Sequence, residues 1–332
     1  MVSQGRRAPV PALATLGEIE SVRRAIEAVV PPTPQFSWPL LNARAGCEVW
    51  VKHENHTAIG SFKIRGALNL VRLLAEREPS VRGVVAATRG NYGQAVAFAA
   101  GRVGVQAVIV VPRGNSPEKN RAMRSLGAEL IEHGDDFQAA LVRAGEVAAE
   151  RGLRLLPPFH PDLARGIAVS MLDFLRACPP LDRVYVPVGM GSGICALAAA
   201  RDALGLETSL IGAGSAGAPA HALSFEAGRV VVHPAGTRIA DGVATSTPDP
   251  AALGFILAGA GRFVRVTDDD AEGAMRAYFE DTHNVAEGAA GVALAALLAE
   301  REGLRGRRAG VILTGGNVDA AVFARVIAGG AV

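Results

Sequence analysis

The chain has 332 residues, room for two modest domains, and 49% of them are hydrophobic, so disorder does not describe the whole. Its 34 Lys plus Arg stand against 32 Asp plus Glu, a formal charge of +2 that offers no field for nucleic acid or an anionic membrane. Three of the basic residues are lysine (Lys52, Lys63 and Lys119) and the other 31 are arginine.

Arg6-Arg7 near the N-terminus is followed by a short, Pro-broken stretch without the apolar core of a secretory signal,. Segment 16–29 reads as a helix and ends at Pro31-Pro32-Thr33-Pro34. Then come a helix at 62–77, strands at 84–88, 106–112 and 129–133, and helices at 93–103, 137–151 and 163–177. Further strands are expected at 183–189, 209–214, 263–267 and 310–314, with a helix at 268–282. Apolar strands alternating with helices make the fold class α/β, with parallel sheets covered on both faces. Leu156-Pro157-Pro158 marks a boundary between two lobes, and the Gly, Thr and Pro-rich segment 235–250 is a loop long enough to be functional,. Cys47, Cys178 and Cys195 have neither metal-ligand spacing nor an even count, which suits a reduced, cytoplasmic setting,. The uncharged runs 184–200 and 208–225 are interrupted by glycine and proline, so they are not membrane spans,.

Four motifs carry the chemistry. Gly60-Ser61-Phe62-Lys63-Ile64-Arg65-Gly66-Ala67 puts Lys63 near a helix start among apolar neighbours. Desolvation and the helix dipole both disfavour its ammonium there, as a Schiff-base lysine needs; a surface lysine on an amphipathic helix is the plainer reading. Thr88-Arg89-Gly90-Asn91-Tyr92-Gly93-Gln94 follows a strand and opens a helix, so its N–H groups can hold a carboxylate; otherwise it is an ordinary loop with Asn91 as N-cap,. Gly189-Met190-Gly191-Ser192-Gly193 is a second strand–helix turn, able to approach a phosphate closely but lacking the full dinucleotide fingerprint and any Walker pattern,. Thr314-Gly315-Gly316-Asn317-Val318-Asp319 ends the last strand.

In this order and at these separations the four motifs resemble the fold-type II pyridoxal-phosphate enzymes of the serine/threonine dehydratase and serine racemase family, over about residues 15–325. The resemblance implies two open twisted parallel-sheet lobes, tryptophan synthase β-like, with 1–81 and 158–332 as the large pyridoxal-phosphate-binding domain and 82–157 as the small one. It implies pyridoxal 5'-phosphate as cofactor and Lys63 as the residue that binds it through a Schiff base and then acts as general base. Phe62 would pack beside the ring and Asn91 would bond its phenolic oxygen. Gly189, Met190, Gly191, Ser192 and Gly193 would hold the phosphate, and Thr314 would meet the pyridine nitrogen. Thr88, Arg89, Gly90 and Tyr92 would take the substrate carboxylate. A homodimer acting on a small amino acid, without nucleic acid or membrane partners, is the matching expectation.

The implied activity is a PLP-dependent dehydratase (ammonia-lyase) converting a β-hydroxy-α-amino acid, of serine, threonine, phenylserine or 3-hydroxyaspartate type, to a 2-oxo acid and ammonia. A racemase or epimerase of the same family is the alternative, and a non-catalytic pyridoxal-phosphate-binding protein the second. Where racemases of this family carry a serine acid, this chain has Arg89, whose guanidinium is a poor proton donor,. Arg89 has three open readings: recognition of a side-chain carboxylate, bracing of the α-carboxylate, or pairing with an acid elsewhere. The divalent-cation carboxylates of some relatives are replaced by Gly214 and Ala220, so no metal is expected. Glu287 matches a position near the ring, although capping or solvation would equally explain it. Asp241 reads as structural and His160 as a residue that could line the site. With Lys52 in a strand and Lys119 in a polar helix start, Lys63 is the one lysine expected to be uncharged.

Overall fold

The computed structural model describes residues 13–329, so Arg6-Arg7 lies outside the described residues. Helix α1 (Leu16–Glu27) starts with a capping box: Thr15 Oγ1 accepts from the Glu18 amide, and the Glu18 carboxylate accepts from the Thr15 amide,. Edge strand β1 (Gln35–Ser37), helix α2 (Pro39–Ala45) and strand β2 (Glu48–His53) lead to α3 (Lys63–Arg77). Strands and helices then alternate through β3 (Gly83–Ala87), α4 (Asn91–Val103), β4 (Gln106–Val111), α5 (Pro117–Ser125), β5 (Glu129–Glu132), α6 (Phe137–Arg151) and β6 (Arg154–Leu155). The chain continues through α7 (Pro161–Ala177), β7 (Arg183–Pro187), α8 (Ser192–Ala203), β8 (Ser209–Ser215) and α9 (Ala220–Ala227). A long loop with a single 3₁₀ turn at Asp241–Val243 precedes α10 (Pro250–Gly259), β9 (Arg262–Val266), α11 (Asp268–Thr282), α12 (Gly288–Ala299), β10 (Arg308–Leu313) and α13 (Ala320–Ile327).

Two sheets result. The smaller runs β5-β4-β3-β6 and is parallel throughout; the larger runs β1-β2-β10-β7-β8-β9 and is parallel except where β1 pairs antiparallel with β2. All five residues of β3 are buried, as a strand covered on both faces requires,. The seven strands expected from apolar runs form, each with ends within two residues of the expected ones. Strands β1 and β6 were not expected: at three and two residues they are too short to show a period,.

The sheet geometry sets the site. Ligands of open parallel sheets bind beyond the carboxyl ends of the strands. Here the turn after β3 carries Thr88–Tyr92, the turn after β7 carries Gly189–Gly193, and β10 ends at Thr314. Lys63 is the first residue of α3, which crosses α7 almost without side chains between them. A Cβ on Gly66 would lie 2.8 Å from the Leu163 carbonyl oxygen, and one on Gly166 would lie 2.5 Å from that of Arg65.

Beneath α3 a sealed ionic cluster ties three segments together. Glu54 accepts from Arg65 Nε at 2.8 Å and Nη2 at 3.2 Å, from Thr33 Oγ1 at 2.6 Å and from Ser170 Oγ at 2.7 Å. Arg65 also donates to the carbonyls of Val30 and Pro31, and Lys52 Nζ to that of Thr33 at 2.7 Å. Glu54, Arg65 and Lys52 are all at 0% exposure. Such a cluster is tolerable only because its donors and acceptors are matched. Burial also lowers the Lys52 pKa, against the pull of Glu54. Lys63 is therefore not the one lysine with a reason to lose its proton.

Candidate active site

The three strand ends and the α3 start converge on one cleft, lined by all the residues singled out above for cofactor and substrate. Lys63 Nζ lies 3.0 Å from Ser192 Oγ, to which it donates, and 4.8 Å from the centre of the Phe62 ring. Desolvation lowers the Lys63 pKa to about 8, opposed by the charge of Glu287. Phe62 is buried and its amide donates to the Thr314 carbonyl at 3.0 Å, which ties the lysine segment to the end of β10. Thr314 itself is buried at the cleft wall.

The glycine turn is built for close approach. Gly191 sits at φ +93° as N-cap of α8, a conformation that favours glycine, and directs the helix N-terminus into the cleft,. A Cβ on Gly189 would come within 2.3 Å of the Gly242 carbonyl oxygen. Met190 Sδ accepts from Thr245 Oγ1 at 3.6 Å, linking this turn to the long loop that follows α9.

On the opposite wall, Thr88 Oγ1 accepts from the amides of Gly90 at 2.9 Å and Gly93 at 3.3 Å, fixing the turn that opens α4. Gly90, not Asn91, is the N-cap. Asn91 is instead spent across the cleft: its Nδ2 donates to Glu287 Oε1 at 2.6 Å, and its Oδ1 accepts from Asn317 Nδ2 at 2.8 Å. Asn317 Nδ2 also donates to the Ile59 carbonyl at 2.8 Å. Tyr92 is buried, with its hydroxyl donating to the Pro157 carbonyl at 2.8 Å; burial raises its pKa. Arg89 lines the cleft, half-buried.

The structure adds a cluster that the sequence reading undervalued. Lys119 belongs to α5 but reaches the cleft at 8% exposure, with Nζ 2.9 Å from Asp241 Oδ2 and 3.6 Å from Glu287 Oε2. Burial opposes its charge, but Asp241 and Glu287 outweigh that and raise its pKa. Glu287 is buried and stands at the N-cap position of α12 without capping it. Desolvation raises its pKa against the Lys119 charge, and its Oε2 has no hydrogen-bond partner. Glu287 is thus not a solvated residue, Asp241 is at the cleft, and Lys119 is not in a merely polar helix start. Lysine scarcity was the signal for Lys119: in an arginine-rich chain a retained lysine marks a place suited to a compact amine. His160 does not line this cleft; it caps α7, with Nδ1 accepting from the Asp162 amide at 3.1 Å. Among the described residues no group of three or more His, Cys, Asp or Glu is placed to hold a metal ion.

A glycine-walled helix N-terminus for a phosphate, a lysine with a depressed pKa and a buried hydroxyl on the strand end form the donor set of a pyridoxal-phosphate protein, and the residues present fit that group. The comparisons agree. The family described as pyridoxal-phosphate dependent enzyme matches residues 26–315, and the chain belongs to it. Pyridoxal phosphate is its cofactor. The L-threonine ammonia-lyase of Thermotoga maritima is 32% identical over 94% of this chain and 78% of that protein. The L-threo-3-hydroxyaspartate ammonia-lyase of Saccharomyces cerevisiae is 31% identical over 95% of this chain and 97% of that protein. Among solved structures, a pyridoxal 5'-phosphate-dependent aspartate racemase superposes with a TM-score of 0.86 at 28% identity, covering 93% of this chain and 97% of that one.

Proposed function

We propose that this enzyme is an ammonia-lyase that converts a β-hydroxy-α-amino acid into a 2-oxo acid and ammonia. The observation that carries the reading is Lys63: a desolvated amine with a pKa lowered to about 8, in one cleft with the glycine turn at the start of α8 and the turn that opens α4. Bound pyridoxal phosphate supplies the electron sink that lets a Cα–H bond break. The chain's own residues do the rest. Lys63 Nζ holds the cofactor and then takes the α-proton as base. Gly189–Gly193 and the α8 N-terminus hold the phosphate, and Phe62 packs against the ring. The N–H groups of the Thr88–Tyr92 turn orient the α-carboxylate. Asn91 meets the phenolic oxygen, its side chain fixed by Glu287 and Asn317. Thr314 would offer the pyridine nitrogen a neutral hydroxyl, which cannot hold a proton on it as a carboxylate would.

Two ammonia-lyases among the relatives support elimination. The aspartate racemase likeness favours a second reading, racemisation, against which Arg89 stands, because a guanidinium is a poor proton donor. The same reading has 1–81 with 158–332 as the cofactor-binding domain, 82–157 as the small one, and the enzyme as a cytoplasmic homodimer; its three free cysteines suit a reduced compartment,. The test is 2-oxo acid release from a panel of β-hydroxy amino acids, with chiral chromatography of the recovered substrate. A yellow protein that releases no 2-oxo acid but scrambles the α-carbon would overturn the proposal in favour of racemisation.

A further inference from the structure

We infer that Arg89 is the specificity residue for a second, distal carboxylate, and that the preferred substrate is a 3-hydroxy-2-aminodicarboxylate. The inference rests on the elimination chemistry proposed above and adds the class of β-substituted substrate it serves. Its basis is the charge pattern of the cleft. Three cationic side chains line it: Lys63, Lys119 and Arg89. Lys63 is committed to the cofactor, and Lys119 is answered by Asp241 at 2.9 Å and Glu287 at 3.6 Å. Arg89 has no carboxylate or carbonyl partner among the described residues. The reading in which it pairs with an acid elsewhere therefore has no acid to name.

The cleft already has a seat for the α-carboxylate. Thr88 Oγ1 holds the Gly90 and Gly93 amides in a fixed turn at the start of α4, a helix end suited to one anion. The Arg89 fork, on the same turn and half-buried, is left for another. A planar guanidinium matches a carboxylate with two parallel hydrogen bonds, and a partly desolvated cation without a protein counter-ion gains most from a ligand that brings one. A monocarboxylic substrate such as threonine leaves that cation unanswered; a β-hydroxy dicarboxylate does not.

The reaction balances without an added oxidant or reductant. Cα–H and Cβ–O bonds break and water leaves; hydrolysis then returns one water, releasing ammonia and a 2-oxodicarboxylate.

The test uses the holoenzyme and its Arg89→Gln and Arg89→Lys variants with L-threo-3-hydroxyaspartate, L-threonine and L-serine. The wild type is expected to favour hydroxyaspartate in kcat/KM by about 10²-fold, the scale of a charge-assisted pair. Arg89→Gln removes that advantage, chiefly through KM, lowering kcat/KM for hydroxyaspartate by far more than for threonine or serine; Arg89→Lys restores part of it. An equal loss on all three substrates would make Arg89 a brace for the α-carboxylate and overturn the inference. So would a wild type that prefers threonine. If no substrate yields a 2-oxo acid, the elimination reading fails by itself, and binding decides the inference. Aspartate must then shift the visible spectrum at a concentration at least about tenfold lower than alanine does, with the difference abolished in Arg89→Gln; equal affinities would overturn it.

Discussion

Glu54 and Glu287 are two buried carboxylates with opposite fates. Glu54, in the sealed cluster under α3, accepts from Arg65, Thr33 and Ser170, and Arg65 holds its pKa below the ordinary carboxylate range despite full burial. Glu287, at the cleft, has one hydrogen bond from Asn91 and a share in a lysine that Asp241 holds more closely, so desolvation raises its pKa. Burial is common to both; the number of donors differs. A fully answered charge fastens segments together, and an under-answered one lies where a ligand is expected.

The sharpest way to break this contrast lies between the two, at Lys63. Lys63→Ala should abolish the cofactor's lysine-linked visible absorption and lower 2-oxo acid release by about 10³-fold or more. Retained absorption and turnover would move the chemistry elsewhere. Next in size, Glu54→Gln should cost about 3–5 kcal/mol in chemical denaturation, because Arg65 and Lys52 stay buried with their counter-ion gone. A loss below about 1 kcal/mol would make the sealed cluster ornamental. Glu287→Gln should stay within about 1 kcal/mol of wild type at neutral pH, since it removes a carboxyl that folding disfavours as an anion.

The pH dependences should also run in opposite senses. Glu54, whose pKa is lowered from 4.5, contributes stability above that value and loses it as pH falls through its folded pKa,. Glu287, whose pKa is raised from 4.5, makes the wild type less stable relative to Glu287→Gln as pH rises above that value,. Denaturation of both variants and wild type from acid to neutral pH checks the two slopes. The smallest effect belongs to Tyr92→Phe, which removes the hydroxyl bond to the Pro157 carbonyl and should cost about 1 kcal/mol by the same measurement,.

Much of the fold was legible because fully buried parallel strands are near-continuous apolar runs, as in β3 and β10. The cleft residues were legible because turns after such strands must present their amides somewhere. Lys119 and Asp241 were not, since their pairing joins residues 122 positions apart and depends on how α5 meets the 3₁₀ turn at Asp241–Val243. The Asn91–Glu287 bond spans 196 positions and is equally silent in local pattern, which alone offers Asn91 as a cap, while the family resemblance gives it the phenolic oxygen. Lys52 deceived for another reason. A charged residue in a strand suggests an outward face, but here its stem is enclosed and its amine bonds a backbone carbonyl.

The three lysines have a practical corollary. Lys52 is fully enclosed, Lys119 is enclosed and ion-paired, and Lys63 lines the cleft, so the described surface carries arginine but no lysine. Guanidinium groups do not condense with aldehydes as amines do. Amine-directed dyes, crosslinkers and stray aldehydes therefore find one receptive side chain on the described part of the cofactor-free protein, the one in the cleft. The cofactor's own aldehyde meets the same selectivity: the arginine-rich surface keeps it from being captured on the way in.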